Sequence, residues 1–284
     1  MIDLLIDPFE LGFMQRALLA SLAVGLVAPI TGFWAVQRRL VYLTDAMSHA
    51  ILAGVAGAAL LATSLVLGAF VAAFLMALAV SWLVVRTTVA EDAAVGVVGQ
   101  GLFAAGVIGV SLQSDPRSLS HVLFGNPLTV TWTELALQWG LVAVILVGAL
   151  ALDGLLSATT FDPAHARTVG VRVGLVDAAL LIGLSLTIVV GLLAVGVLMS
   201  LTLAIAPAAG ARLLSDSRPR IMAIAVAFGL TAAFGGLLLS YYVSVPTGPL
   251  VALVAVAQFA CCAVVRRTRR GTRQVLSVPA EAVA

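Results

Sequence analysis

The chain has 284 residues, of which 62% are hydrophobic and only 10% charged. A soluble domain carries about 25% charged residues, so a soluble fold is excluded and the long apolar stretches describe an all-α, polytopic transmembrane bundle. All fifteen basic residues are arginine. A P-loop requires a lysine on the β- and γ-phosphates, so any ATP-driven work falls to a separate subunit.

Charges, prolines and glycines divide the apolar sequence into about nine spans, at residues 13–36, 40–61, 66–85, 93–112, 132–153, 173–192, 195–214, 221–241 and 249–265. Two joints, near Ala62–Ser64 and Gly191–Gly196, are needed because 40–85 and 173–214 are each too long for one crossing. Nothing in the opening MIDLLIDPFELGF has the basic n-region or cleavage site of a signal peptide. With nine alternating spans, thirteen arginines share one side, and Arg16 and Arg117 take the other. The positive-inside rule then sets the N-terminus outside and the C-terminus in the cytoplasm. Residues 1–265 form the transmembrane domain, and 266–284, opening RRTRRGTRQ, read as a basic, disordered cytoplasmic tail.

The second span, LVYLTDAMSHAILAGVAGAALL, places Asp45 and His49 four residues apart, on one helical face. His49 lies about 14 Å into the span at 1.5 Å per residue. Ionisable groups at that depth are expensive and commonly face a polar pathway. A carboxylate and an imidazole on one face form half a site for a cation such as zinc or manganese; a proton relay and a mutual hydrogen bond are the competing readings. His121 and His165 fall in polar loops and read as solvated. Cys261 and Cys262 are neighbours in an apolar helix, where disulfide geometry is hard to reach, and read as packing.

These residues resemble a known family. RALLASLAVGLVAPITGFWAVQRRLVYLTDAMSHAILAGVA is similar to the membrane permease of the zinc and manganese ABC importers. EDAAVGV at Glu91–Val97, LFGNPL at Leu123–Leu128, FDPAHARTVGV at Phe161–Val171, IAPAAGARLL at Ile205–Leu214 and LSYYVSVPTGPLV at Leu239–Val251 follow in the same order. The resemblance covers residues 13 to about 260. It implies a type II importer-like fold, a second copy of the chain, two cytoplasmic ATPase subunits that alone bind ATP, an external metal-binding protein, and a place in the bacterial cell membrane. No nucleic acid and no permanently bound cofactor are implied; the cation is cargo.

Within that family Asp45 and His49 are carried over as metal-path residues. Phe161, Asp162, Pro163 and Gly170 bound a short helix, AHARTV, on the Arg-rich side, with an Asp-Pro start and a stopping glycine; the resemblance makes it the ATPase contact. Pro207, in IAPAAGARLL, reads equally as a hinge or a static kink. One position departs from the family pattern S-Y-x-x-D-x-P-x-G: the acidic place is Ser244. The missing carboxylate at the outer gate is then either dispensable or supplied by Asp115 or Glu134. The loops hold no histidine-rich tract, and manganese is expected ahead of zinc, with iron also compatible. A carrier of another class, driven by ions or protons through Asp45 and His49 without an ATPase, is the rival function; an enzyme is disfavoured by the lack of a nucleophile and base constellation.

Overall fold

The computed structural model describes residues 7–112, 127–194 and 196–276. Among these the chain is helical throughout, with no strands. The helices are α1 (Gly12–Gln37), α2 (Val41–Leu60), α3 (Leu65–Arg86), α4 (Glu91–Ser111), α5 (Trp132–Phe161), the short α6 (Pro163–Thr168), α7 (Val173–Ala194), α8 (Val197–Leu214), α9 (Arg218–Val243) and α10 (Thr247–Leu276). Single 3₁₀ turns at Asp7–Glu10 and Pro127–Thr129 precede α1 and α5.

Leaving α6 aside, the long helices match the expected spans one to one. Eight of the described helices are long and apolar enough to cross a membrane. The ninth, α8, has 18 residues, just under the usual ~20. Pro207 lies inside α8, and a second proline, Pro29, lies inside α1. Side chains at the helix ends show the alternation of direction. Arg38, just past α1, meets Asp177 in the first turns of α7, and Arg212 near the end of α8 meets Gln37 at the end of α1. Arg218 at the start of α9 pairs with Asp153 of α5 at 2.8 Å. One end of the bundle therefore gathers these arginines. At the other end Arg16, in the second turn of α1, lies over the ring of Trp132 at the start of α5, 6.0 Å from its centre.

Two helices run beyond the spans expected from hydropathy. α5 continues from 153 to Phe161 and so becomes 30 residues long. Its last turns are held by Thr159 and Thr160, whose hydroxyls donate back to the carbonyls of Leu155 and Leu156. α10 continues through Arg266 and Arg267 to Leu276, where the sequence suggests a disordered tail; arginine and glutamine are good helix formers, so the end of the apolar stretch does not end the helix. Residues 277–284 lie outside the described part.

α1 is the hub, with 72% of its most apolar stretch buried. Apolar side chains gain nothing by leaving lipid for one another, so membrane helices associate where small residues let backbones approach. A Cβ on Gly25 would lie 2.7 Å from the carbonyl oxygen of Gly229 in α9, and one on Gly32 would overlap the carbonyl of Ala204 in α8. α7, α8, α9 and α5 close around α1, while α2, α3 and α4 form a second layer with their own core of Met47, Ile51, Met76 and Val95. Gly32→Ala should lower stability by about 1–3 kcal/mol, the usual cost of overpacking. Gly140→Ala, where an added Cβ meets nothing within 4 Å, should leave stability unchanged or slightly raised. Thermal unfolding of the purified chain in detergent checks the pair, and equal stabilities would refute the close-contact account.

Candidate metal path and the elbow at the Arg-rich end

α2 begins from a tight elbow. α1 ends in a Schellman arrangement, with the Leu40 N–H donating to Ala35 O at 2.8 Å and Arg39 N–H to Val36 O at 3.3 Å. Arg39 sits at φ +60, a left-handed conformation usually left to glycine. This turn fixes the start of α2 directly beneath Asp45 and His49.

The Nε2 of His49 and Oδ1 of Asp45 lie 3.8 Å apart, and their side chains are 28% and 42% exposed. That separation is too long for a hydrogen bond, so the two groups do not satisfy each other. It suits a shared ion: with bonds of 2.0–2.2 Å to each donor, a cation can bridge atoms up to about 4.2 Å apart. Their neighbours on α2 do not compete, since Thr44 donates to Leu40 O at 2.7 Å and Ser48 to Thr44 O at 3.1 Å. Among the described residues no group of three or more His, Cys, Asp or Glu side chains converges anywhere. Phe103 carries no local signal in the sequence: its ring on α4 meets the His49 imidazole edge-on, centroids 5.4 Å apart, and only the packing of α4 on α2 brings it there.

At the Arg-rich end Asp162 closes α5 and opens α6. Its carboxylate accepts from the His165 N–H at 2.8 Å, and Pro163 takes the first helical position, where no N–H is needed. Gly170, at φ +84, ends α6, with Gly170 N–H donating to Arg167 O and Val171 N–H to Ala166 O. Phe161, the last residue of α5, is 63% exposed. His165 is exposed on α6.

At the opposite end Ser244 caps α9. It is exposed, its N–H donates to Ser240 O, and it adopts φ 57, ψ 37, again left-handed. Glu134 is committed elsewhere: its carboxylate accepts from both the N–H and hydroxyl of Thr131 at 2.8 Å in the capping box of α5. Asp115 and His121 lie outside the described residues. Cys261 is exposed and Cys262 buried, both as free thiols.

A multi-pass helical membrane protein with a partly exposed carboxylate and imidazole close together on one span has the build of a transport chain. Residues 10–266 match the ABC 3 transport family, and the chain belongs to that family. It is 34% identical over 252 residues to the chelated iron transport system membrane protein YfeD of Yersinia pestis, covering 89% of this chain and 85% of that one. It is 32% identical over 249 residues to the manganese transport system membrane protein MntC of Halalkalibacterium halodurans, covering 87% and 85%. Among solved structures, PsaBC from Streptococcus pneumoniae in complex with Fab aligns with a TM-score of 0.86 at 30% identity, covering 92% of this chain and 95% of that one.

Replacing the cap of α6 tests the local geometry. Asp162→Ala should speed amide exchange at residues 165–168 by about 2- to 30-fold, matching a lost cap of 0.5–2 kcal/mol, while Asp162→Asn, an equally good cap, should not. Hydrogen exchange read by mass spectrometry decides, and identical exchange in both variants would show that the cap does not hold the helix.

Proposed function

We propose that this chain is the membrane permease subunit of an ATP-driven importer of divalent metal, manganese first and zinc or iron next. The observation that carries the reading is the Asp45–His49 pair: two donors, at a spacing that admits a cation, half-exposed on a helix of a family member. Two ligands from one chain are too few for firm capture, which supports pairing with a second copy about a two-fold axis, so that two carboxylates and two imidazoles face one path. The arginine distribution supports a cytoplasmic Arg-rich end and an N-terminus outside. Two cytoplasmic ATPases then meet the segment Phe161, Asp162, Pro163 to Gly170, and an external metal-binding protein delivers the ion at the end bearing Ser244. The family assignment favours this reading over a proton-coupled carrier, and the lack of any lysine supports ATP hydrolysis in a partner.

Asp45→Ala and His49→Ala should each abolish uptake of manganese by the reconstituted complex while assembly with the ATPase survives. Wild-type uptake in either variant would refute the site, and competition by zinc and iron in the same assay ranks the cargo.

Ser244 is the proposed outer-gate position. A neutral hydroxyl is a poor ligand for a hard dication, so the outer rim holds the ion weakly and capture depends on Asp45 and His49. Ser244→Ala should leave import within about twofold of wild type, since its effect rests on a ligand of little strength. Ser244→Asp should keep import working and increase retention of manganese by the permease. A severe loss in the alanine variant, with the complex assembled, would give Ser244 an essential role of another kind.

A further inference from the structure

A cavity of about 590 Å³ opens at the Arg-rich end between α2, α3, α5, α6 and α7. Pro163 and Arg167 of α6 line it on one side, and Leu40 and Leu43 at the start of α2 line it on another. Bridging it is Arg38. Its Nε donates to Thr160 Oγ1 at 2.8 Å, one terminal nitrogen to Thr159 Oγ1 and the other to Asp177 Oδ1. The side chain of Arg38 is only 12% exposed. A buried guanidinium bound on three sides is a costly feature that persists only with its partners in place.

The three partners belong to the two helices that frame α6. Thr159 and Thr160 stand four and three residues before Pro163, in the last turn of α5, and Asp177 is in the second turn of α7. Both frames are thus clamped to one residue of the α1–α2 elbow. From Arg38 the chain passes through the left-handed Arg39 into α2, reaching Asp45 seven residues and His49 eleven residues later. A push on α6 that moves the ends of α5 and α7 must either carry the Arg38 clamp with it or break it.

We infer that Arg38, with Asp177, is a positioning residue that transmits displacement of α6 to the Asp45–His49 face of α2, and so links ATP hydrolysis to release of the metal. The guanidinium fork suits this task because it holds α5 and α7 in fixed relative geometry, whereas a single ammonium would hold one of them. The cavity beside it, walled in part by Leu43, Ala77 and Val80 of the α2–α3 core, leaves open space next to the elbow. This inference rests on the reading of α6 as the ATPase contact.

The test uses the full permease–ATPase complex in liposomes, with Arg38→Ala, Arg38→Lys and Asp177→Asn compared with wild type. Four quantities are read: Mn²⁺ uptake, ATP hydrolysed per ion taken up, Mn²⁺ binding to the detergent-solubilised complex, and photocrosslinking to the ATPase from a benzophenone side chain at position 164. Arg38→Ala and Asp177→Asn should raise ATP consumed per ion by at least about 10-fold, with Mn²⁺ binding and crosslinking unchanged. Arg38→Lys, which keeps the charge and loses the fork, should fall between them and wild type. Combining Arg38→Ala with Asp177→Asn should be no worse than either alone, as expected of one linked interaction. Crosslinking with a wild-type ratio of ATP to ion in all three variants would overturn the role of Arg38 while leaving the ATPase contact standing. Absent crosslinking in the wild type itself would overturn the α6 contact and the inference with it. Loss of Mn²⁺ binding in Arg38→Lys and Asp177→Asn alike would reassign Arg38 to plain structural support and also overturn the inference.

Discussion

α1 touches α8 and α9 backbone to backbone, and the placement of the remaining parts follows from that contact. In lipid there is no gain in bringing leucine to leucine, so the helices meet where Gly25 faces Gly229 and Gly32 faces Ala204. The buried α1 then sets the height of everything attached to its ends. Arg38 and Arg39 follow its final turn, and the elbow they form decides where on the bundle α2 begins. A shift of one turn in α1, about 5.4 Å, would separate Arg38 from Thr159, Thr160 and Asp177 together and would move Asp45 by the same distance.

The polar groups inside the bundle divide into two kinds. Some are satisfied across helices: Thr31 of α1 bonds Thr187 of α7 at 3.1 Å, and the Gln138 amide of α5 donates to both Ala20 O and Val190 O at 3.1 Å, while Ser21 Oγ, Trp34 Nε1 and Gln138 Oε1 are buried with no hydrogen-bond partner among the described residues. The bonds tie α1, α5 and α7 into one unit, since an unpaired group in a water-free interior costs several kcal/mol. Asp45 and His49 are of the second kind. They lie on a span, half-exposed, with no bond to each other. Ionisable groups placed on a membrane span in this way are costly and commonly face a polar pathway.

Much of the helix order was legible because hydropathy and charge mark spans directly, and the two soft joints fall where Ala62 and Gly196 take positive φ. Helix ends were less legible. Hydropathy reports where apolar residues stop, and α5 and α10 run on as Thr159, Thr160, Arg266 and Arg267 continue the helical ladder. The i,i+4 placement of Asp45 and His49 was readable from spacing, as was the Asp-Pro start and Gly170 stop of α6. The grip of Arg38 on Asp177, 139 positions away, and the packing of Phe103 on His49 have no local signature. Glu134 shows the opposite limit: as a lone acid it offered itself as a ligand, but with Thr131 three residues before it the pattern is also a capping box, and the backbone takes the carboxylate.

Position 244 separates what geometry demands from what charge could add. α9 must stop and turn within a few residues to return as α10, and the left-handed residue at its end does this while Ser240 Oγ donates to Val245 O at 2.6 Å and shares a bond with Thr247 Oγ1 at 2.9 Å. The bonds that fix the turn come from Ser240, Thr247 and the backbone, so the side chain at 244 is left exposed and free of any part in holding it. Aspartate visits left-handed conformations more readily than most residues, so a carboxylate and a hydroxyl can exchange there with the turn intact. What the exchange changes is the electrostatic character of that end of the bundle, since serine leaves the turn without the fixed charge that a carboxylate would add.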